Sequence, residues 1–320
     1  MYILSLLPEL HEKPWGGRRL MDEYGYKYDK KNAGEAWLLS CHKDGKSIVQ
    51  NGAYRGRSLR EVFETEDRSV WGTHFAPEKD FPILIKLIDA EDKLSIQVHP
   101  DDEYARINDN DSGKTESWYI VDAKPGAELI YGFDHEVTRE EFLQSIEDES
   151  VTQLLQHVPV RPGDLVYIPS GTVHAIGAGI LLAEVQQSSN ATYRIFDYGR
   201  PGDDGEPRPL HKKKAADVLN YDLIRPMILP PPIVENVAGG VRTPLIFCPF
   251  FHTELLKVRG TMTDIVDETS FVSLLAIEGE GELSAKSGTL SVKKGASIVI
   301  PAGEGEYTLS GSLTILRTAI

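Results

Sequence analysis

The sequence predicts a mainly β protein made of two related β-sandwich or barrel units, with helical insertions in the first unit. Short apolar runs bounded by Gly, Pro, Asn and Asp recur along the chain, helical patches are few, and one β segment is repeated. The predicted strands are "SIVQNG", "FPILIKLIDA", "LSIQVHP", "SWYIVDA", "AELIYG", "LVYIP", "ILLAEVQQ" and "TYRIFDY".

The run "KLSIQVHPDD", Lys93 to Asp102, shows the strand pattern most clearly. Apolar and polar residues alternate along it until Pro100 and two aspartates end the run. This alternation predicts a half-buried strand. Side chains repeat every two residues along a strand, so Gln97 and His99 share one face. An amide and an imidazole side by side indicate either a solvent-facing edge or a pair of ligands.

Helical patches interrupt the strands at three places. "RSLREVFE" lies at about 57–64, and "PLHKKKAADVLNY" lies at 209–221. The longest patch spans about 138–158, where Thr138 is a candidate N-cap with Glu141 three residues later. Such a pair is typical of a capping box. This patch is predicted to be a helical insertion.

An internal repeat relates "VRPGDLVYIPSGTVH", 160–174, to "VKKGASIVIPAGEGE", 292–306. At a constant shift of 132 residues the Gly, Ile, Pro and second Gly positions match, and Glu306 stands where the first copy has His174. Two related β units are therefore predicted, and only the first retains the histidine. We expect the second unit to be structural and to bind no metal.

The Pro-rich, Gly-ended segment 225–240 is the best candidate for a linker. It divides the 320 residues into a first domain, 1–235, which contains the helical insertion, and a second domain, 236–320. This division suits the length, which exceeds what one small hydrophobic core supports.

Composition excludes several classes of protein. The net charge of −15 argues against nucleic acid or an anionic membrane as a partner, and it requires a locally positive pocket for any anionic substrate. No apolar run is long enough to span a membrane, and the N-terminus lacks a secretory pattern. Cys41 and Cys248 lie far apart and fit free thiols. A cytoplasmic protein is expected, and its oligomeric state stays open.

Three segments carry candidate metal ligands. "SIQVHP" contributes Gln97 and His99, "GKTESWYI" contributes Glu116, and "IPSGTVHAIG" contributes His174. Imidazole, carboxylate and amide donors suit Zn²⁺ or another divalent transition ion, and an open position is typical of a catalytic site. Each residue alone also fits an ordinary polar surface position, and the other histidines lie outside any comparable pattern. The hypothesis depends on the joint arrangement along consecutive β elements.

Four segments in order, "LSIQVHPDDEYA", "GKTESWYI", "VRPGDLVYIPSGTVHAIGAGI" and "QQSSNATYRIFDYGR", resemble class I mannose-6-phosphate isomerases of the cupin superfamily in their shorter bacterial form. "KPWGGRRL" and "GEAWLLS" extend the resemblance, which covers most of residues 1–225. It implies two cupin-type, jelly-roll β-barrel units, with catalysis in 1–235 and a degenerate unit in 236–320.

The resemblance also implies the site residues. One Zn²⁺ per chain is implied, because four residues match the family's zinc-ligand positions, namely Gln97, His99, Glu116 and His174. Lys114 matches a lysine of the sugar-phosphate pocket, and Arg194 matches the active-site arginine, so both are expected to handle phosphate or an oxyanion. Asn190 stands where relatives often have Asp, which leaves it the role of holding a sugar hydroxyl.

The implied reaction interconverts mannose 6-phosphate and fructose 6-phosphate through an enediol, with a phosphorylated hexose as the partner molecule. Lys86 interrupts the apolar run "LIKLIDA" and needs either a buried ion pair or an auxiliary role in substrate binding. Arg194 also fits a surface arginine paired with Asp197, and Lys114 also fits a solvated lysine. No residue singles itself out as the general base.

Three other functions remain open at this point. They are a non-catalytic cupin that binds sugar or metal, an iron-dependent dioxygenase on the same fold, and an isomerase or epimerase of another phosphosugar. The dioxygenase is disfavoured because Gln97 would be a fourth ligand and because Arg194 and Lys114 suit a phosphate. Specificity between sugars depends on pocket shape, which the sequence does not reveal.

Overall fold

The computed structural model describes residues 1–74, 80–202, 205–226, 228–229 and 234–320. In chain order the strands are β1 Leu4–Leu7, β2 Glu9–His11, β3 Glu35–Leu39, β4 Ile48–Val49, β5 Ile83–Ala90, β6 Ile96–Val98, β7 Glu116–Ala123, β8 Glu128–Phe133, β9 Leu155–Pro159, β10 Leu165–Ile168, β11 His174–Ile176, β12 Ile180–Gln187, β13 Tyr193–Phe196, β14 Ile228–Leu229, β15 Glu235–Val237, β16 Gly240–Phe247, β17 His252–Val266, β18 Val272–Ala285, β19 Gly288–Lys293, β20 Ser297–Ile300 and β21 Gly305–Ala319. Strand therefore predominates, and the predicted mainly β fold is confirmed.

The helices of the described residues are short. The α-helices are α1 Arg19–Asp22, α2 Leu59–Thr65, α3 Asp102–Asn108, α4 Arg139–Glu147 and α5 Lys212–Val218. The 3₁₀ helices are Gly52–Tyr54, Arg68–Trp71 and Val151–Leu154. No helix in the described ranges combines the length and the apolar character that crossing a membrane requires.

The apolar runs predicted as strands all coincide with observed strands, from β4 in "SIVQNG" to β13 in "TYRIFDY". The burial of β6 shows why alternation is informative. Ile96 and Val98 are buried in an apolar cluster, and Gln97 between them is only half-buried. A strand with one face in the core must alternate in this way, because successive side chains point to opposite sides.

The chain forms two compact units, each discontinuous in sequence. The central unit contains Leu10–Glu35 and Leu87–Ile228, and the C-terminal unit contains Met1–Glu9, Ala36–Lys86 and Leu229–Ile320. The division at residue 235 predicted from the sequence differs from these units, because 1–9 and 36–86 belong with the C-terminal strands. The assignment of catalysis to one domain stays a prediction.

Strand pairing within the C-terminal unit explains this difference. Its sheet runs in the order β15, β16, β17, β21, β18, β20, β1 and β4, with β19 paired to β18. The amino-terminal strand β1 pairs antiparallel with β20 and also with β4. A buried apolar cluster that extends from Ile3 to Ala319 forms the core. Segments distant in sequence therefore complete one sheet.

The internal repeat has a structural counterpart in the turns that flank β10 and β20. The turns before these strands contain Gly163 (φ +95°) and Gly295 (φ +83°). Such left-handed backbone favours glycine in both copies. The position that holds the buried His174 in the first copy is occupied by the exposed Glu306 in the second.

Two predicted segment boundaries differ from the observed ones. Helix α4 begins after Thr138, which forms a capping box with Glu141, but it ends at Glu147, and Leu155–Pro159 forms β9. The predicted linker 225–240 lies partly outside the described residues, namely at 227 and 230–233. Its described part includes β15, which pairs with β16.

The central unit contains a sheet in the order β13, β6, β11, β8 and β9, and within the same unit β7 pairs with both β10 and β12. Helices α4 and α5 cover one side of the first sheet through Phe142 and Ala215, which belong to the same buried cluster as Ile96 and Val98. The apolar face of β6 is therefore occupied by core, and the polar residues of β6 face the other way.

A network of ion pairs in the C-terminal unit surrounds Asp264. Its carboxylate oxygens lie 2.9 Å from Arg317 Nε and 2.9 Å from Arg242 Nη2, and the Tyr307 hydroxyl donates to it at 2.9 Å. Burial alone would raise the pKa of Asp264, but Arg317 and Arg242 lower it below the ordinary value. A carboxyl whose pKa is lowered by folding stabilises the folded state at pH values above its pKa in the unfolded chain, about 3.9. This stabilisation is lost as the pH falls through the pKa in the folded state.

We expect Asp264→Asn to lower the free energy of unfolding at pH 7 by about 1–2 kcal/mol, a value reduced for partial solvent screening. Urea denaturation should show this difference shrinking between pH 5 and pH 3, as the wild-type carboxyl becomes protonated. Asp222→Asn, at an exposed position, serves as the control. A difference that stays constant over this pH range would contradict the prediction.

Candidate metal centre

Two of the predicted ligands lie at strand β6: Gln97 is on the strand, and His99 directly follows its last residue. Gln97 and His99 face away from the core cluster, and His99 is buried. The His99 Nδ1 lies 2.9 Å from the Ala191 carbonyl oxygen. This contact is a hydrogen bond when Nδ1 carries the proton, so Nε2 keeps a lone pair. The backbone therefore selects the ring nitrogen that is available to a metal.

Glu116 begins β7 and lies opposite Ile168 of β10 and Gln186 of β12. The Oε2 atom of Glu116 is 3.0 Å from Lys114 Nζ and 3.6 Å from His99 Nε2. The Lys114 ammonium also lies 3.1 Å from His99 Nε2, and both side chains of the Lys114 and Glu116 ion pair are buried. The predicted site lysine is thus in contact with two predicted ligands.

His174 begins β11 and lies directly opposite Gln97 of β6. The His174 Nδ1 contacts the Thr172 carbonyl oxygen at 2.9 Å, and its Nε2 lies 3.4 Å from Glu116 Oε1. Burial lowers the pKa of His174 to about 4, despite the opposing effect of the Thr172 carbonyl. The imidazole is therefore neutral at pH 7, which is the form that binds a metal.

His99, Glu116 and His174 form a buried group that can hold a metal ion. Their ligand atoms all lie within 4.8 Å of one another. Each imidazole directs Nδ1 to a backbone carbonyl and Nε2 into the group, as outer hydrogen bonds commonly do at metal sites. The Gln97 amide nitrogen lies 3.4 Å from His174 Nε2, so this amide adjoins the group. The donor set suits zinc or another divalent transition ion.

Two further polar residues at this site were not identified from the sequence. Glu184 and Gln186 of β12 are buried and lie opposite Trp118 and Glu116 of β7. The Trp118 indole donates to Glu184 Oε2 at 3.0 Å, and its ring packs edge-on against His174. The run "ILLAEVQQ" places Glu184 and Gln186 two residues apart, which is the same pattern that singled out Gln97 and His99. That spacing could have identified them.

Arg194 lies on β13 directly opposite Gln97 of β6. Its Nη1 donates to the Pro209 carbonyl at 2.9 Å, and its backbone N–H donates to His211 Nδ1 at 3.0 Å. Opposite residues of an antiparallel pair share a face, so Arg194 belongs to the same side of the sheet as the Gln97 amide. The predicted active-site arginine therefore lies beside Gln97, one of the predicted ligands.

Asn190 and Lys86 are placed differently. Asn190 is exposed, and its backbone N–H donates to Asp111 Oδ2 at 3.2 Å. Lys86 is buried in the C-terminal unit, with its Nζ 4.9 Å from the centre of the Trp37 ring. This geometry is a cation–π contact, which stabilises a charge within an apolar strand. The substrate-binding roles of Asn190 and Lys86 stay predictions.

Comparisons with known proteins identify the family of this chain. Residues 3–132 match the family model of phosphomannose isomerase type I, catalytic domain, and residues 242–320 match mannose-6-phosphate isomerase, cupin domain. The mannose-6-phosphate isomerase ManA of Bacillus subtilis strain 168 is 40% identical over 311 residues, which is 96% of this chain and 96% of that protein.

Solved structures give the same result. The mannose 6-phosphate isomerase of Bacillus subtilis has a TM-score of 0.93 and 36% identity, and the match covers 100% of both chains. A zinc-bound mannose 6-phosphate isomerase has a TM-score of 0.78 at 16% identity and covers 99% of each chain, which shows a common fold.

Fold and site define a mainly β protein with a cupin domain and a buried histidine–glutamate–histidine group. Sequence identity over nearly the whole chain narrows this class to enzymes of one reaction family. The chain belongs to the type I mannose-6-phosphate isomerase family, and the resemblance predicted from its sequence is confirmed.

Proposed function

We propose that this protein interconverts mannose 6-phosphate and fructose 6-phosphate, with one zinc ion per chain held by Gln97, His99, Glu116 and His174. The observation that carries the proposal is the convergence of two imidazoles and one carboxylate in a buried group. Relatives over the full length are named for this reaction, and a structural relative contains zinc. The names of the relatives support the proposed substrate, and the zinc in the structural relative supports the proposed metal.

The reaction moves a proton between C2 and C1 of the sugar through an enediol, so negative charge develops on adjacent sugar oxygens. A zinc ion held in the group would supply Lewis-acid stabilisation of that charge. Glu116 and the two histidines are preorganised for this task, because each is buried and each imidazole is oriented by a backbone carbonyl. Little reorganisation is then needed during the reaction.

Lys114 and Arg194 supply positive charge next to proposed ligands, Lys114 beside Glu116 and Arg194 opposite Gln97. The Lys114 ammonium is buried beside Glu116, where low dielectric strengthens its interaction with a developing oxyanion. Arg194 lies opposite Gln97 and presents a planar guanidinium, which suits a phosphate or an oxyanion. We therefore assign both residues to substrate binding and charge stabilisation.

A coupled assay for fructose 6-phosphate formed from mannose 6-phosphate tests the proposal directly. We expect activity to disappear on chelation with EDTA and to return on addition of zinc. Fructose 6-phosphate added directly to the coupling enzymes controls for their own sensitivity to the chelator. An inactive protein that still binds one metal ion per chain would refute the proposal in favour of a non-catalytic cupin or an enzyme for another phosphosugar.

A further inference from the structure

The short loop between β12 and β13 carries the carbonyl group that contacts His99. Ser189 and Ala191 of this loop are buried, as is Gln187 at the end of β12. The Ala191 carbonyl oxygen lies 2.9 Å from His99 Nδ1. A buried loop lacks the regular pairing of a sheet, so its backbone groups need other partners. The position of the Ala191 carbonyl, and with it that of the His99 ring, therefore depends on the groups that satisfy this loop.

The Gln186 side chain is a partner for two carbonyl groups at the start of the loop. Its amide nitrogen donates to the Gln187 carbonyl oxygen and to the Ser189 carbonyl oxygen, each at 2.7 Å. An amide nitrogen has two N–H groups, and these two bonds use both of them. The reverse orientation would place the amide oxygen against two carbonyl oxygens, so the contacts determine which end of the amide faces the loop.

Further hydrogen bonds connect these carbonyl groups to Ala191. The Ser189 N–H donates to the Gln187 carbonyl oxygen at 2.8 Å, which closes a three-residue γ-turn. The Ser189 hydroxyl then accepts from the Ala191 N–H at 3.1 Å. Gln186, Ser189 and Ala191 thus form a continuous chain of hydrogen bonds that leads to His99 Nδ1.

The end of β12 is fixed to the segment that carries two other residues of the site. The Gln187 N–H donates to the Thr115 carbonyl oxygen at 3.1 Å, and the Thr115 N–H donates to the Gln187 side-chain oxygen at 2.9 Å. Thr115 lies between Lys114 and Glu116 in the chain. The start of the loop is thereby fixed relative to the metal centre.

The surroundings of Gln186 show which of its polar groups is useful to the fold. Gln186 is fully buried and lies opposite Glu116. Its side-chain oxygen has no hydrogen-bond partner in the part of the chain that the structure describes. A buried acceptor without a partner costs free energy, and an apolar side chain of similar volume would avoid that cost. The contribution of this amide therefore comes from its two N–H donors, which hold the loop.

We infer that Gln186 is a positioning residue of the metal centre. By holding the loop at residues 187–191, it fixes the Ala191 carbonyl and so the orientation of the His99 imidazole. A ligand held in place binds a metal ion more tightly, because less conformational freedom is lost on binding. The inference rests on the proposed function for the role of His99 as a zinc ligand, but the effect on the His99 ring depends only on hydrogen bonds within the chain.

The first measurement is nuclear magnetic resonance of the metal-free protein labelled with nitrogen-15 histidine. The proton on His99 Nδ1, assigned by its absence in His99→Ala, should exchange slowly with water because it is hydrogen-bonded. Gln186→Met keeps an unbranched side chain and removes both donors. We expect this variant to exchange the His99 proton about 10-fold faster, which corresponds to the loss of about one hydrogen bond. The Nδ1 proton of His174 contacts Thr172 outside this loop and should be unchanged.

The second measurement is zinc affinity, determined by competition with a chelator. Gln186→Met should bind zinc about 10- to 100-fold more weakly, the loss typical when a residue that supports a metal ligand is removed. Gln156→Met is the matched control, because it makes the same substitution on the edge strand β9 of the same unit. It should bind zinc as the wild type does.

A second variant, Ser189→Ala, removes only the hydroxyl that accepts from Ala191. It should change both measurements in the same direction as Gln186→Met. In the double variant the two losses should not add, because both changes break one chain of hydrogen bonds. If Gln186→Met does not fold, Ser189→Ala decides the test.

Wild-type proton exchange at His99 and wild-type zinc affinity in both variants would overturn the inference and leave the proposed isomerase intact. Equally faster exchange at His99 and His174 would also overturn it, because that result indicates a general loosening of the unit. Faster exchange at His99 alone, in a chain whose wild type binds no zinc, would support the positioning role and overturn the proposed function instead.

Discussion

Replacement of His99 by alanine is expected to remove the bound metal and to lower isomerase activity by about 1,000-fold or more. His99 is one of three buried residues whose ligand atoms lie within 4.8 Å of one another. Without its imidazole, the described group retains only two ligand residues. A Lewis acid contributes several kcal/mol to stabilisation of the transition state, and each 1.36 kcal/mol corresponds to a factor of ten in rate. Elemental analysis of zinc and the coupled assay measure both effects.

The β fold should survive this change, because the strand residues that pack the core, Ile96 and Val98, are unaltered. Circular dichroism checks this point. His157→Ala is a suitable control, since His157 is an exposed histidine of the same unit that contacts Glu128. Full activity in a metal-free His99→Ala protein would show that the site has been misassigned.

The second large effect is expected from Glu116→Gln, which keeps the shape of the side chain and removes its charge. Metal affinity should fall by more than the roughly 10- to 100-fold loss seen when a supporting residue is removed, because Glu116 is itself a proposed ligand. The change also leaves the buried Lys114 ammonium without its carboxylate at 3.0 Å. Breaking a buried ion pair from one side costs about 3–5 kcal/mol.

The contribution of this ion pair can be isolated in the metal-free protein. Urea denaturation is measured for wild type, Glu116→Gln, Lys114→Met and the double variant. Removal of both charges eliminates the unpaired ammonium, so the double variant should be more stable than Glu116→Gln. Destabilisation in the double variant equal to the sum of the single effects would mean that the two charges do not interact.

Much of the site follows from local pattern. Gln97 and His99 could be identified because they share one face of an alternating strand, and alternation is imposed by burial of the opposite face. Glu184 and Gln186 show the same two-residue spacing on β12, but there the whole strand is buried. Periodicity does not distinguish polar residues that line a buried site from those that are satisfied within a core.

Three arginines near the Asp197 carboxylate show the limit of local pattern from another side. The sequence indicated Arg194 and its possible partner Asp197, but it gave no reason to expect Arg200 and Arg208 at the same carboxylate. Their grouping depends on the return of the chain to Asp197 at Arg208 and on a turn at Tyr198, where φ is +56°. Both features arise from contacts between segments, which a linear pattern does not record.

By itself the sequence determined the mainly β fold class, the positions of eight of the strands and the repeat, and it indicated the candidate metal-ligating residues, because these depend on periodicity and turn chemistry within a few residues. Only the tertiary structure decided that β1 completes the sheet of β20, that Lys114 pairs with Glu116 while contacting His99, and that three arginines share one carboxylate. The physical reason is that strand pairing and ion pairing join residues far apart in the chain. Burial then decides which of those contacts are strong.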